Sequence, residues 1–416
     1  MAMTNVKKII SHAHAHPETA GAVVKAFDGF AAGLNGPGWL IDLRRTGADY
    51  VRTHGLPSAK LEGWKFTNIL PLVKAYGPVL GQTKVTTLSR PDGLDIQPLA
   101  ISATERDWVR GLIAEDAHYT DHNTDPALWH LANMFFRDGV SIDVPRGWQG
   151  AEPLEVVLEC APDTFNTVHT AIRVQENARL VMIEDHRGKG NYWKNRLSHI
   201  VLEPGAHFTH IRIQNDSDQA IYTQNTRVTV AKDATYDAVA VYTGARLSRN
   251  QIHAVLSEPG ATCHLNGINL MRGEQHTDTT ILIEHRAPHC DSRQNYRSVL
   301  NDRAHGVFQG KVHVHQPAQK TDGYQLSKAI LLSEGAEMDT KPELEIYADD
   351  VKCSHGATTG QLDSEPMFYM QSRGVDENSA RALLIESFVA DAVEGLKDGA
   401  LRERLMDVVR GWLKSC

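Results

Sequence analysis

From Val140 the chain settles into a two-residue rhythm of apolar and polar positions and holds it almost to Asp363. Runs such as RLVMIED (Arg179–Asp185), HFTHIRI (His207–Ile213), YDAVAVY (Tyr236–Tyr242) and TILIEH (Thr280–His285) carry it. Period two puts alternate side chains on opposite faces of a strand, and the β-branched content suits a pleated surface. A small turn precedes successive strands: Glu176-Asn-Ala178, Glu203-Pro-Gly-Ala206, Lys232-Asp-Ala234 and Glu258-Pro-Gly-Ala261. Ala178, Ala206, Ala234 and Ala261 are almost evenly spaced, and a similar turn returns in drifted register at Glu334-Gly-Ala336. A fixed period in this range marks a repeat whose units bury their cores only by stacking. A β-solenoid and a sandwich of hairpins both fit, whereas propeller blades run to about 40 residues or more.

Both ends of the chain change rhythm. Asn5–Leu34 has helical spacing and meets a Gly-Pro-Gly breaker at Gly36–Gly38, and Asp107–Glu115 and Asp125–Phe136 read as short helices. After Asp363 the spacing predicts helices over Ser364–Gln371, Glu377–Leu396 and Leu401–Leu413, with Asp376 as an N-cap. Leu383, Leu384, Phe388, Val389, Val393 and Leu396 would share one apolar face, able to shield the open end of a solenoid or to receive another protein. The division expected is a mostly helical region 1–138, a strand-rich core 139–362 and a helical region 363–416.

Composition narrows the function classes. With 43 basic and 51 acidic residues in 416, the net charge of −8 argues against nucleic-acid binding. No apolar run approaches the roughly 18 residues of a membrane span, and the N-terminus continues into charged and histidine-rich sequence rather than an apolar secretory core. Cys160, Cys263, Cys290, Cys353 and Cys416 form an odd, scattered set without a CxxC, which a reducing cytoplasm accommodates best. The phosphate loop GxxxxGK[ST] is absent, as are HExxH, GxSxG and GxGxxG, so ATP hydrolysis is assigned to another chain.

Chemistry concentrates in Ala348–Gly374, ADDVKCSHGATTGQLDSEPMFYMQSRG. In an extended segment Cys353 and His355 point to one face, and thiolate with imidazole suits iron, zinc or copper better than hard cations. Two ligands are not a site, and a Cys–Ser–His turn closing a strand explains the pair as well. Other candidates weigh less. His12, His14 and His16 would diverge on a helix; His313 and His315 share a strand face but read as solvated histidines. Cys263 and Cys290, separated by one repeat, could stack on neighbouring rungs but fit core packing. Trp64 and Phe66 read as an aromatic plug for the N-terminal region.

The stretch ADDVKCSHGATTGQLD with FYMQSRG, the runs FQGKVHVHQPAQKTDGYQ (Phe308–Gln325) and ILLSEGAEMDTKPELEIYADD (Ile330–Asp350), and LEGWKFTN (Leu61–Asn68) together resemble the SufD family. These are the scaffold subunits of the SUF iron–sulfur assembly machinery, and the matching stretches are spread over nearly the whole chain. The resemblance implies a mainly β protein whose core is a parallel β-helix flanked by helical domains. It further implies a non-catalytic scaffold that pairs with a SufB-like paralogue, or with a second copy of itself in isolation, and engages a SufC-like ABC-type ATPase through its C-terminal helices. His355 and Cys353 become candidates for cluster assembly or the partner interface, with His355 a transient metal ligand. No tightly bound cofactor is expected on the single chain; iron or a cluster would pass through the complex, and flavin association with it stays open. SufB-like chains have His-Glu-Ala-Thr where this one has His355-Gly356-Ala357-Thr358, which favours SufD. The alternative is a stand-alone β-solenoid metalloprotein or metalloenzyme built on Cys353 and His355.

Overall fold

A computed structural model describes residues 17–33, 37–73, 79–116, 126–136 and 138–414. The His12, His14, His16 triplet and the first part of the helix expected from Asn5 lie outside them. The protein is mainly β, with a parallel solenoid of about eight turns and helices at both ends of the chain.

A short 3-10 turn (Pro17–Ala20) leads into α1 (Gly21–Ala31), followed by α2 (Gly38–His54), α3 (Leu70–Val73), β1 (Lys84–Ser89) and β2 (Asp95–Pro98). Then come α4 (Leu99–Glu105), α5 (Asp107–Asp116) and α6 (Ala127–Met134). Helix α2 was not expected: the chain resumes a helix at Gly38, directly after the breaker, and buries Leu40, Leu43, Ala48 and Val51. Gly47 lets it close on α6, since a Cβ there would stand 2.6 Å from the His130 carbonyl oxygen.

The solenoid runs through β3 (Asp138–Val144), β4 (Leu154–Cys160), β5 (Phe165–Val174), β6 (Arg179–Gly188), β7 (Trp193–Leu202) and β8 (His207–Asn215). It continues through β9 (Ile221–Val230), β10 (Thr235–Tyr242), β11 (Leu247–Leu256), β12 (Thr262–Met271) and β13 (His276–His285). The last strands are β14 (Asp291–Leu300), β15 (His305–Val314), β16 (Asp322–Leu331), β17 (Glu337–Ile346) and β18 (Lys352–Gly360). Three helices close the chain: α7 (Ser364–Ser372), α8 (Glu377–Ala390) and α9 (Gly399–Leu413).

Each strand from β3 to β18 pairs in parallel with the strand two places away, giving an even-numbered and an odd-numbered sheet that β1 and β2 bring to nine strands each. The repeat is therefore two strands and two turns, and of the two architectures open to the periodicity the solenoid is the one adopted. At one turn of each repeat a residue of positive φ precedes the small one: Asn177, Gly205, Asp233 and Gly260 before Ala178, Ala206, Ala234 and Ala261. Pro at the second and Gly at the third position, as in Glu203–Ala206 and Glu258–Ala261, is the type II pattern. The turns stack so tightly that a Cβ on Gly260 would lie 2.2 Å from Asp233 Oδ1.

The same frame places Cys263 and Cys290 in the core, as the packing reading has it, and removes the option that they stack on each other. His289 has positive φ, so Cys290 occupies the alanine position of the turn, while Cys263 is a strand residue opposite Ser292. Cys290 thus falls two positions short of the register that stacking on Cys263 requires. Both thiols are buried in the core, and burial pushes both up.

The lumen is apolar along one side, through Leu180, Phe208, Val228, Ile252, Leu265 and Ile283. Inward positions of β6, β7 and β8 include charged residues instead: Glu184, Lys194, Arg196 and Arg212. Glu184 meets Arg196 Nη1 at 2.8 Å and His210 Nε2 at 3.0 Å, and Lys194 meets Asp216 at 2.7 Å. Burial alone would raise the Glu184 carboxyl, yet Arg196 and His210 reverse this and hold it well below the usual carboxylate range. Removing one partner of such a pair leaves an uncompensated buried charge.

The N-terminal end reverses strand direction. β1 lies antiparallel on β4 and β2 antiparallel on β3, so both sheets begin with a reversed strand. The N-terminal helices bury Phe27, Val51 and Phe135 against Phe165, Trp193, Ile221 and Leu247, the first residues of four successive odd strands. The loop LEGWKFTN clasps the same sheet. Arg249 stacks 3.8 Å over the Trp64 ring and donates to the Gly63 carbonyl at 2.7 Å, Thr67 donates to Asp278, and Lys341 pairs with Glu62 at 2.8 Å. The aromatic plug expected at Trp64 is thus also a bridge to the solenoid.

Candidate functional site

The C-terminal end is open. β17 and β18 are the last strands of their sheets, each pairing on one edge only among the described residues. Inner strands are almost wholly buried, whereas β18 is largely exposed and β17 half-buried, with Ile346 at its end and Tyr347 just beyond exposed. A free edge is a row of unpaired N–H and C=O groups, a ready template for another strand.

Cys353 and His355 lie on β18, two positions apart as the sequence suggested. Register fixes their direction. Cys353 continues the column Cys263–Ser292–Gly323, and His355 the column Leu265–Gln294–Gln325, both of which face the lumen. The pair therefore forms part of the last rung, turned inward at the mouth of the solenoid. Gly323 makes room, since a Cβ there would touch Cys353 Sγ at 3.4 Å. Cys353 packs half-buried against Val312, Val314, Ala318 and Ala348, while His355 is exposed. Beneath His355, the buried Gln294 has neither amide atom hydrogen-bonded, and Gln325 Oε1 is likewise unpaired. Buried polar atoms are nearly always satisfied, so a mouth lined with spare donors and acceptors is a departure from normal packing.

The thiol is not activated within the single chain. Burial pushes Cys353 up, Asp322 adds to this, and a hydrogen bond from the Gly323 backbone offsets it only in part. The lowered pKa that a thiolate ligand requires is absent here. Among the described residues neither Cys353 nor His355 belongs to a group of three potential metal ligands.

The one such group among the described residues is Glu284, His313 and His315, on the outer face of the odd sheet. This corrects the reading of His313 and His315 as solvated: both are half-buried, and His315 Nε2 lies 2.9 Å from the buried Glu284. Glu284 belongs to the preceding odd strand, directly opposite His313 in the register, a neighbourhood sequence spacing does not reveal.

The C-terminal helices do not cover the mouth, as a cap would. Ile385, Val389, Leu405, Val409 and Trp412 pack on the outward residues of the even sheet, among them Ile183, Ile211, Val239, Ile268 and Val299. Helix α8 ends at Ala390, short of the Leu396 expected, where Asp391 turns to pair with Arg297. Val393 and Leu396 nonetheless stay buried in the following turns. Helix α7 buries nothing and leaves Phe368 73 % and Tyr369 59 % exposed, and on α8 Leu383 is 51 % exposed. No helix among the described residues is long and apolar enough to cross a membrane.

Comparison with known proteins adds independent findings. Residues 157–388, more than half of the chain, match the family model for the SUF system FeS cluster assembly SufBD core domain. The chain is 29 % identical over 372 residues to the iron–sulfur cluster assembly protein SufD of Escherichia coli, covering 85 % of this chain and 88 % of that protein. It is 28 % identical over 410 residues to an iron–sulfur cluster assembly SufBD family protein of Synechocystis, covering 89 % and 90 %. Similarity to the chloroplastic protein ABCI7 of Arabidopsis thaliana reaches 32 % over 300 residues, or 69 % and 63 %.

Proposed function

The chain belongs to the SufBD family of iron–sulfur cluster assembly proteins, and from that premise we propose that it is the non-catalytic scaffold of a three-component assembly complex. Its open end pairs with a SufB-like paralogue, and its C-terminal helices engage a SufC-like ABC-type ATPase. The observation that carries the reading is the mouth itself: two unpaired strand edges, with Cys353 and His355 turned into the lumen of the last rung. A partner strand added to β18 would bring its own inward side chains beside these two and complete a ligand set that one chain lacks. His355 offers an imidazole nitrogen, while Cys353, its thiol pushed up by burial, needs the partner to lower its pKa. Iron and sulfide are cargo in this scheme. The exposed Phe368 and Tyr369 of α7 and Leu383 of α8 are the apolar side chains these helices leave for the ATPase, and the face beneath α8 and α9 is already spent on the solenoid.

The test is to co-express the chain with its paralogue and ATPase and to compare iron and sulfide bound by the purified complexes. His355→Ala is expected to leave the complex assembled and to lower both by about tenfold or more, the scale on which metal sites lose affinity when a supporting group goes. Cys353→Ser should have a smaller effect. Wild-type iron and sulfide in His355→Ala would reduce the histidine to a structural end-of-strand residue.

A further inference from the structure

We propose a second site, on the outside of the solenoid, that binds a divalent transition-metal ion through Glu284, His313 and His315. It does not depend on the assembly reading. The inward residues Ile281 and Ile283 of β13 and Val312 and Val314 of β15 are buried in apolar clusters, so Glu284, His313 and His315 point outward. The site is thus on the other sheet and the other face from Cys353 and His355.

Its geometry follows from the register. Glu284 and His313 are directly paired on adjacent rungs, and His315 is two positions further along the same strand face. One ligand atom from each of the three lies within 4.8 Å of the others. An ion about 2.1 Å from each atom needs them roughly 3.0–3.4 Å apart. The side chains must therefore close by about 1.5 Å to reach that spacing, a rotamer adjustment on a half-buried surface.

An ion-pair cluster alone would explain His253 and His315, which lie 2.6 Å and 2.9 Å from opposite oxygens of Glu284. It does not explain His313, which makes no hydrogen bond among the described residues. Its ring instead stacks face to face on that of His315, centroids 4.2 Å apart and planes 11° off parallel, with His313 opposite Glu284 in the register. Two imidazoles and one carboxylate with open positions are the donor set of borderline divalent ions such as Fe²⁺, Co²⁺ and Zn²⁺. His253 then plays the supporting part that ligating carboxylates usually have, bonding Oε1 and leaving Oε2 toward the metal. Arg286 also contacts Oε2, at 2.9 Å and 3.0 Å, and its half-exposed guanidinium is free to swing out as the ion enters.

The experiment uses the full chain, without an affinity tag, on a background of His12→Asn, His14→Asn and His16→Asn, so that the histidine-rich N-terminus supplies no ligands. After chelator treatment the protein is titrated with Co²⁺, followed by the visible d–d absorption, and with Zn²⁺ by calorimetry. One equivalent is expected. His313→Gln and His315→Gln should each abolish stoichiometric binding, and His253→Gln should weaken it by about 10–100-fold. His355→Ala and Cys353→Ser should bind as the background chain does. Circular dichroism and elution volume, unchanged in the surface variants, confirm folding. Binding that survives the double change at 313 and 315, or no stoichiometric binding at all, would overturn the site. Neither result bears on whether His355 serves cluster assembly, so the two proposals fail separately.

Discussion

The two ends of the solenoid finish their sheets in different ways. Every stack of strands leaves unpaired edges, and exposed edges invite uncontrolled association. At the N-terminal end β1 and β2 fold back antiparallel on β4 and β3, and the helical region covers the outer face beside them. Even the chain's far terminus helps: Arg404 of α9 holds Glu155 of β4 with two bonds of 2.7 Å and 3.0 Å. At the C-terminal end β17 and β18 simply stop, and the helices that follow run back along the flank. The residues were available to cover the mouth but were used elsewhere. Among the described residues both ends leave strands that pair on one edge only, but the C-terminal one ends in parallel strands whose inward residues include Cys353 and His355, and no helix of the C-terminal region lies across it.

Breaking the clasp between the N-terminal region and the odd sheet, which reaches from β11 to β17, should produce the largest loss. Trp64 is fully buried and carries Arg249 on its ring, so Trp64→Ala removes a core side chain and the stack that keeps the guanidinium desolvated. A loss of about 3–5 kcal/mol is expected, measured by urea unfolding monitored by circular dichroism. A change under about 1 kcal/mol, the size of an ordinary surface or near-surface substitution, would show that the clasp is ornamental.

A smaller effect is expected from the charge ladder that climbs the outer face of the even sheet toward the open end. His264 sits between Asp237 at 2.8 Å and Asp291 at 3.0 Å, and Arg293 continues the row to Asp322. Burial pushes the imidazole down, but the two carboxylates outweigh it and raise it to about 9. A group raised on folding stabilises fully below its unfolded value near 6.5 and loses that contribution as pH climbs through the folded one. The unfolding midpoint should therefore fall between about pH 6.5 and 9, by a modest amount because the side chain is 35 % exposed and screened. His264→Gln should flatten this part of the curve; an identical slope in the variant would mean that other groups cause it.

Much of this architecture could be read from the sequence, and the misses have identifiable causes. The alternation and the alanine turns are local signals, so the strands and their period were legible. Direct readings of β18 also held: Cys353 and His355 do share a face. What sequence could not carry was register across rungs. The repeat lengthens along the solenoid, from the rung that sets Ile221 against Leu247 to the one that sets His305 against Glu337, and each change slides the columns. Cys290 fell into a turn for this reason, and Glu284 arrived beside His313 unannounced. Helix α2 was legible in the spacing of Leu40, Leu43, Ala48 and Val51, but the Gly-Pro-Gly breaker was given more weight than the periodicity after it. The charged lumen had no signal at all, because Glu184, Arg196 and Arg212 occupy positions that a period-two pattern merely labels inward.

The smallest effect on folding should come from the open edge, and there it is the contrast between neighbouring residues that decides. In a parallel sheet successive residues direct their backbone groups to opposite sides. The Lys352 N–H bonds the Thr321 carbonyl at 2.8 Å, so the odd-numbered residues of β18, including Ala357, direct their N–H groups to the free edge. Thr358, opposite Lys328, points its N–H into the sheet. Ala357→Pro then removes only an outward donor, which edge strands tolerate, and stability should stay within about 0.5 kcal/mol of wild type. Thr358→Pro removes a ladder bond and should cost about 1–3 kcal/mol. Association runs the other way if partners add to this edge. Light scattering after co-expression with the paralogue should show Ala357→Pro folded but unpaired, since one missing donor interrupts the new ladder at its centre. A normal complex with Ala357→Pro would mean that the partner seats on side chains beyond the strand edge. The open end would then need another reason for having been left bare.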